Sequence, residues 1–217
     1  MINSELAAFL IDLAMPLDAD LDGLYRESAA QGLPIIDRDV VNFIQVLFKL
    51  RQPLNVLEIG CCVGFSALLM ARMIGQGGKV TTIDRYPLMI ERARENFTKY
   101  DTLGQIELLE GDAAEILPQL SKEEKQYDLI FLDAGKGQYN RLWEYCYDLM
   151  ANGGVFLADD VLQGGSVAWE IDKIEKRQRT THRNLNEFLR TIMNANDLVS
   201  TILPIGDGLL VGVKEQK

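Results

Sequence analysis

Apolar positions follow two spacings along this chain, and the change from one to the other lays out its elements. Over residues 1–52 the spacing is helical. Leu6, Phe9, Leu10 and Leu13 form a first set that Pro16 interrupts. Asp18, Asp20 and Asp22 then offer a helix start ahead of Leu21, Leu24 and Tyr25, and Gly32 and Pro34 close that section. Asp37 is the expected N-cap of a third helix with Val40, Val41, Ile44, Leu47 and Phe48 on its apolar face. From Asn55 onward, short apolar runs at 56–59, 80–84, 106–109, 127–133 and 155–159 read as buried strands, the last entered through a turn at Gly153-Gly154. Helical patterns separate them at 66–71, 88–100, 113–120 and 139–150, and 166–194 is expected to be mostly helical. Two last strands, 199–203 and 209–213, flank the turn Pro204 to Gly208, too short for a crossover helix, so they run antiparallel. Apolar strands alternating with helices predict an α/β fold, a mostly parallel sheet covered on both faces. We expect one domain over 1–217, with 1–52 as a helical lead-in to a core at 53–217.

The stretch Asn55 to Ser66, NVLEIGCCVGFS, runs from strand to glycine turn to helix, the geometry that brings backbone N–H groups up to a ligand. Its spacing is Glu-x-Gly-x-x-x-Gly. The Gly-x-Gly-x-x-Gly of dinucleotide enzymes is missing, which weighs against an NAD-dependent oxidoreductase. Glu58, at the strand end, can accept hydrogen bonds from a ligand ammonium or hydroxyl; the alternative is a purely structural turn.

Five successive strands end at or near an acid: Glu58, Asp84, Asp112, Asp133 and the pair Asp159-Asp160. Ligands of open α/β sheets bind off those ends. Asp84 follows Gly64 by about 20 residues, the separation at which an acid takes ribose hydroxyls; it can equally cap the next helix. Asp112 can meet an adenine amino group or cap its own helix. Asp133, Asp159 and Asp160 would lie together if their strands are neighbours, and three crowded carboxylates need compensation. Oxygen ligands without nearby His or Cys suit Mg²⁺, Mn²⁺ or Ca²⁺ rather than zinc; the alternative is one helix cap and two solvated acids. Lys136, three residues after Asp133, becomes a candidate base if a metal and desolvation lower its pKa.

Composition narrows the field. The net charge of −10 and pI near 4.7 argue against DNA and general nucleic-acid binding. No apolar run approaches the ~18 residues of a membrane span, and the first residues lack a basic n-region, so we expect a cytoplasmic protein. Three cysteines, Cys61, Cys62 and Cys146, have no Cys-x-x-Cys spacing, in keeping with a reducing compartment. One segment runs against the acidic balance: Lys173, Lys176, Arg177, Arg179, His182, Arg183 and Arg190. It reads as a phosphate-contacting arm or as a solvated helix face, with His182 at the surface.

Taken together, Glu58-Ile-Gly60…Gly64-Phe-Ser66, Thr82-Ile-Asp84, Gly111-Asp112-Ala113, Leu132-Asp133-Ala-x-Lys136, Asp159-Asp160-Val-Leu and Leu203-Pro-Ile-Gly-Asp-Gly-Leu209 resemble the cation-dependent O-methyltransferases of the caffeoyl-CoA and catechol type. The resemblance covers about residues 35–214 and implies a Rossmann-like class I methyltransferase with an antiparallel C-terminal strand. It implies that Ile36, Glu58, Gly60, Ser66, Asp84, Asp112, Ala113 and Asp133 bind S-adenosylmethionine. Asp133, Asp159 and Asp160 would hold Mg²⁺ or another divalent cation, with Lys136 and Asp133 catalytic, in a homodimer. The family commonly has Asp-Asn where this chain has Asp159-Asp160, and many plant members have Asp-Ala-Asp-Lys where this chain has Asp-Ala-Gly135-Lys136. Lys136-Gly-Gln-Tyr139, the Pro34-Ile-Ile entry and the basic segment are most similar to the bacterial tRNA 5-hydroxyuridine methyltransferases. The expected acceptor is therefore 5-hydroxyuridine of a tRNA, made into 5-methoxyuridine, with a small catechol-like or phenylpropanoid-like hydroxyl as the alternative.

Overall fold

Each apolar run becomes a strand of one sheet in the computed structural model, which describes residues 4–216. The strands are β1 (Asn55–Ile59), β2 (Lys79–Asp84), β3 (Ile106–Glu110), β4 (Tyr127–Leu132), β5 (Met150–Ala158), β6 (Leu198–Leu203) and β7 (Leu209–Lys214). Their order is β3-β2-β1-β4-β5-β7-β6. Only β7 opposes the rest: it pairs antiparallel with β5 on one side and β6 on the other. Three helices lead in, α1 (Ser4–Asp12), α2 (Ala19–Ala30) and α3 (Arg38–Arg51). The connections are α4 (Phe65–Met73), α5 (Pro87–Tyr100), α6 (Ala113–Lys122), α7 (Tyr139–Leu149) and α8 (Arg179–Met193).

Strand alternation divides the core in two. Leu57, Ile59, Ile130, Leu132, Phe156 and Ala158 belong to one apolar cluster, shared with Leu142 and Trp143 of α7 and Leu185 and Phe188 of α8. Val56, Leu129, Phe131, Val155 and Leu157 belong to the other, with Val40, Val41, Ile44 and Phe48 of α3 and Phe65, Leu68 and Leu69 of α4. Both sheet faces are covered, which is why these strands are apolar at successive positions.

Four expectations need correction. Residues 163–178 are not continuous helix but three short 3-10 turns, and α8 begins only at Arg179. Trp169, Glu170, Ile174 and Glu175 carry ψ between 133° and 153°, which breaks the expected helix before Arg179. The turn at Gly153-Gly154 lies inside β5, where the register against β4 shifts between Tyr127 and Leu129; Gly153, at φ +74°, absorbs the irregularity. Asp37 sits at the N-cap position of α3, but its side chain makes no cap hydrogen bond. His182 is buried, because it falls on the α8 face of Leu185, Leu189 and Ile192.

Gly60 fixes how closely β1 and β4 leave the sheet. Its φ is +103°, and a Cβ there would stand 1.8 Å from the Asp133 carbonyl oxygen, a backbone atom that has nowhere to go. Gly60→Ala is expected to destabilise the fold by at least ~1–3 kcal/mol, the usual scale of overpacking. Gly23→Ala, in the interior of α2 with open space around it, is expected to stabilise by about 0.5–1 kcal/mol. Denaturant midpoints of the two variants check both; equal midpoints would contradict the close approach at Gly60.

Candidate active site

The chain crosses from β1 to β2 on one side and returns to β4 on the other, so β1 and β4 flank the point where the winding reverses. A cavity of about 380 Å³ opens beyond their carboxyl ends, within the range that takes a small molecule. Ile36, Gly60, Asp84, Asp112, Ala113, Asp133, Lys136, Asp159 and Asp160 all line it. Ser66 lines a smaller cleft that shares Ile36, Gly60 and Asp133 with it.

Asp84 holds the glycine turn itself. One of its oxygens accepts the Cys61 and Cys62 N–H groups at 3.0 and 2.8 Å, and the other accepts the Tyr86 N–H at 2.9 Å. Asp112 is the N-cap of α6, accepting the Ala114 N–H at 2.9 Å, while its second oxygen meets Arg85 at 2.8 Å. The Ala114 N–H and the Arg85 guanidinium together hold its carboxyl below the usual range. Cys61 is buried and Cys62 half-buried, and burial pushes both thiols up, away from a reactive thiolate.

Glu58 stands behind the cavity wall rather than on it, with no exposed surface. Thr82, its register neighbour on β2, donates to Oε2, while Oε1 is buried without a hydrogen-bond partner. Burial raises its pKa to about 8 despite the Ser66 and Thr82 hydroxyls, with Asp133 and Asp84 adding to the rise.

The remaining acids meet at one corner. Lys136 Nζ lies 3.1 Å from Asp133 Oδ1 and 3.0 Å from Asp160 Oδ2, so one ammonium bridges two carboxylates. Asp159 Oδ1 accepts the Asp160 N–H at 2.9 Å. Burial, then the charges of Asp133 and Asp160, push Asp159 up to about 7; burial also raises Asp133, with Lys136 offsetting part of the rise. For Lys136, burial works against the charge, but the Tyr139 hydroxyl, Asp133 and Asp160 outweigh it and its pKa is raised. In this arrangement Lys136 is the ion-pair partner of both carboxylates. Among the described residues no three His, Cys, Asp or Glu side chains are gathered to hold a metal ion; the lysine stands between two of the three expected ligands.

A family model described as O-methyltransferase matches residues 19–215. The chain belongs to this O-methyltransferase family. The methyltransferase is 31% identical to a catechol O-methyltransferase of Niastella koreensis, across 95% of this chain and 90% of the relative. It is 30% identical to a caffeoyl-CoA O-methyltransferase of Medicago sativa, across 80% and 72%. Its fold superposes on the O-methyltransferase of Bacillus cereus solved in complex with SAH with a TM-score of 0.84, at 26% identity and 97% coverage of each chain.

Cavity residues of the methyltransferase that were not anticipated as part of the site include Arg85, Met89 and Asp37. Arg85 directly follows Asp84, and Asp37 directly follows Ile36, so adjacency to expected site residues was the available signal. Tyr139, with its buried hydroxyl, was visible only as part of a motif.

Glu58 gives a pH dependence with a definite sign. Its carboxyl has an ordinary value near 4.5 when unfolded and about 8 when folded. Between those values the unfolded chain releases a proton that the folded chain keeps, so this group's contribution to stability falls as pH rises and levels off above about 8. Glu58→Gln is expected to flatten that fall, as denaturant midpoints across the range would show. Parallel profiles for both proteins would contradict it.

Proposed function

We propose that this methyltransferase carries the methyl group of S-adenosylmethionine to one of two adjacent oxygens of a small catechol-like acceptor, with a divalent cation at the carboxylate corner. The observation that carries the reading is the convergence of Asp133, Asp159, Asp160 and Lys136 on one cavity wall beside the glycine turn. Family membership and the SAH complex of the Bacillus cereus relative support the donor. The close backbone approach at Gly60, the apolar Ile36 and Ala113, and the unpartnered Oε1 of Glu58 behind Ser66 suit such a ligand.

The donor set fits a hard cation in its chemistry: three carboxylates, two with raised pKa values, share a single compensating ammonium. When bound, the cation would lower the pKa of an acceptor hydroxyl and orient it. Asp133, Asp159 and Asp160 would hold it, and Lys136 would leave its two carboxylates. Once free of them, Lys136 is the residue we assign to take the acceptor proton. Fixing donor and acceptor in line is worth about 7–11 kcal/mol.

A tRNA 5-hydroxyuridine, whose 5-hydroxyl lies beside a carbonyl, offers the same oxygen pair. The exposed Lys173, Lys176 and Arg183 just past the carboxylate corner favour this second reading. The net charge of −10 and the catechol and caffeoyl-CoA acceptors named for the two relatives favour the small molecule. A second copy of the chain is proposed to cover exposed apolar residues such as Phe9 and Leu13 at α1 and Leu50 on α3.

An assay with labelled methyl donor, run with caffeic acid and with tRNA lacking the modification, decides the acceptor. Methylated caffeic acid and unlabelled tRNA are expected; the opposite pattern would establish the tRNA reading. EDTA is expected to abolish turnover and Mg²⁺ to restore it. Lys136→Ala is expected to lower kcat by about 100-fold or more, the scale of lost general-base catalysis, with SAH affinity unchanged. Full turnover in EDTA would remove the cation from the mechanism.

A further inference from the structure

One fully buried polar group has no part in the chemistry above. Tyr139 opens α7 with no exposed surface. Its hydroxyl lies 3.2 Å from the Leu132 carbonyl oxygen and 3.0 Å from the Asp159 carbonyl oxygen. A phenol has one proton to donate, so the two carbonyls share it. A phenylalanine would fill this place without the cost of burying a hydroxyl, so the O–H calls for an explanation beyond packing.

Its two acceptors lie on neighbouring strands. Leu132 ends β4 and is followed by Asp133; Asp159 follows the end of β5. The Leu132 oxygen also accepts the Asp159 N–H at 3.0 Å. The peptide between Asp159 and Asp160 is therefore held twice, its carbonyl by Tyr139 and its N–H by Asp159 Oδ1. Beyond it, Asp160 has φ +54°, the left-handed region that disfavours an L side chain. Flipping that peptide would let Asp160 relax to negative φ and carry its carboxylate away from Asp133.

We propose that Tyr139 is a positioning residue whose hydroxyl pins the Asp159–Asp160 peptide and so keeps the Asp160 carboxylate beside Asp133. Its ring, packed edge-on against Phe188 at 5.3 Å, does a separate job that phenylalanine would preserve, whereas the hydroxyl's interaction with Lys136 would go with the hydroxyl. The effect on a cation rests on the reading given under Proposed function; the effect on the peptide does not.

Tyr139→Phe in the full chain tests this with two readouts. Without metal, the Asp160 amide, protected by Asp159 Oδ1, is expected to exchange its hydrogen faster in the variant; unchanged exchange overturns the proposal. With Mn²⁺ as probe, followed by electron paramagnetic resonance, the variant's Kd is expected to rise about 10–100-fold, as for other groups that orient metal ligands. SAH affinity is expected to stay at the wild-type value, and turnover at limiting Mg²⁺ to recover as Mg²⁺ is raised. Wild-type Mn²⁺ affinity in the variant overturns the proposal, and so does a parallel loss of SAH affinity, which would mark general loosening. Wild-type protein that binds no Mn²⁺ overturns the cation reading instead, and the exchange measurement still decides the role of Tyr139.

Discussion

Crowded negative charge is the constraint on which this molecule turns. Parallel pairing aligns Leu132 of β4 with Ala158 of β5, so the residues that follow, Asp133 and Asp159, leave the sheet side by side. Asp160 adds a third carboxylate at once. Burial and neighbouring like charge both raise a carboxyl's pKa; burial first, then Asp133 and Asp160, push Asp159 to about 7, and Lys136 is drawn onto both Asp133 and Asp160. A fold has no structural use for three acids there. In our reading a second cationic partner shares the corner, and that would connect it to methyl transfer.

The neighbouring features serve the same corner. Gly60 lets β1 and β4 leave the sheet almost in contact, which sets the glycine turn directly against Asp133. Asp84 holds that turn through the N–H groups of Cys61 and Cys62. Glu58 is buried beside it, its carboxyl raised by that burial, with one oxygen left without a hydrogen-bond partner. In our reading the donor's positive end and a divalent ion complete a balance of charge for which the protein alone supplies one lysine.

Much of this was legible in the sequence, because the relevant signals are local. Short continuous apolar runs located all seven strands within a few residues, and the antiparallel pair at the C-terminus followed from the length of its turn. Strand-end acids could be placed on one rim because a parallel sheet puts all its carboxyl ends there. What escaped depended on tertiary contacts or on backbone conformation. Asp37 has the right residue type and position for a cap, yet Asp39 takes the Val40 and Gly206 N–H groups and Asp37 lies against the cavity. Residues 166–178 were expected to be mostly helical, but extended backbone at Trp169, Glu170, Ile174 and Glu175 breaks them into short turns. His182 shares its helical face with three core residues, a signal present in the spacing and outweighed by the charges around it. The Lys136 bridge could not be foreseen, since three residues of sequence separation do not say which way an ammonium turns.

Anomalous diffraction from a crystal of this chain soaked in Mn²⁺ tests the central claim most directly. The account predicts one ion with oxygens of Asp133, Asp159 and Asp160 at about 2.0–2.2 Å, and Lys136 Nζ withdrawn from Asp133 and Asp160. An ion bound elsewhere, or none while the lysine keeps both carboxylates, would contradict it.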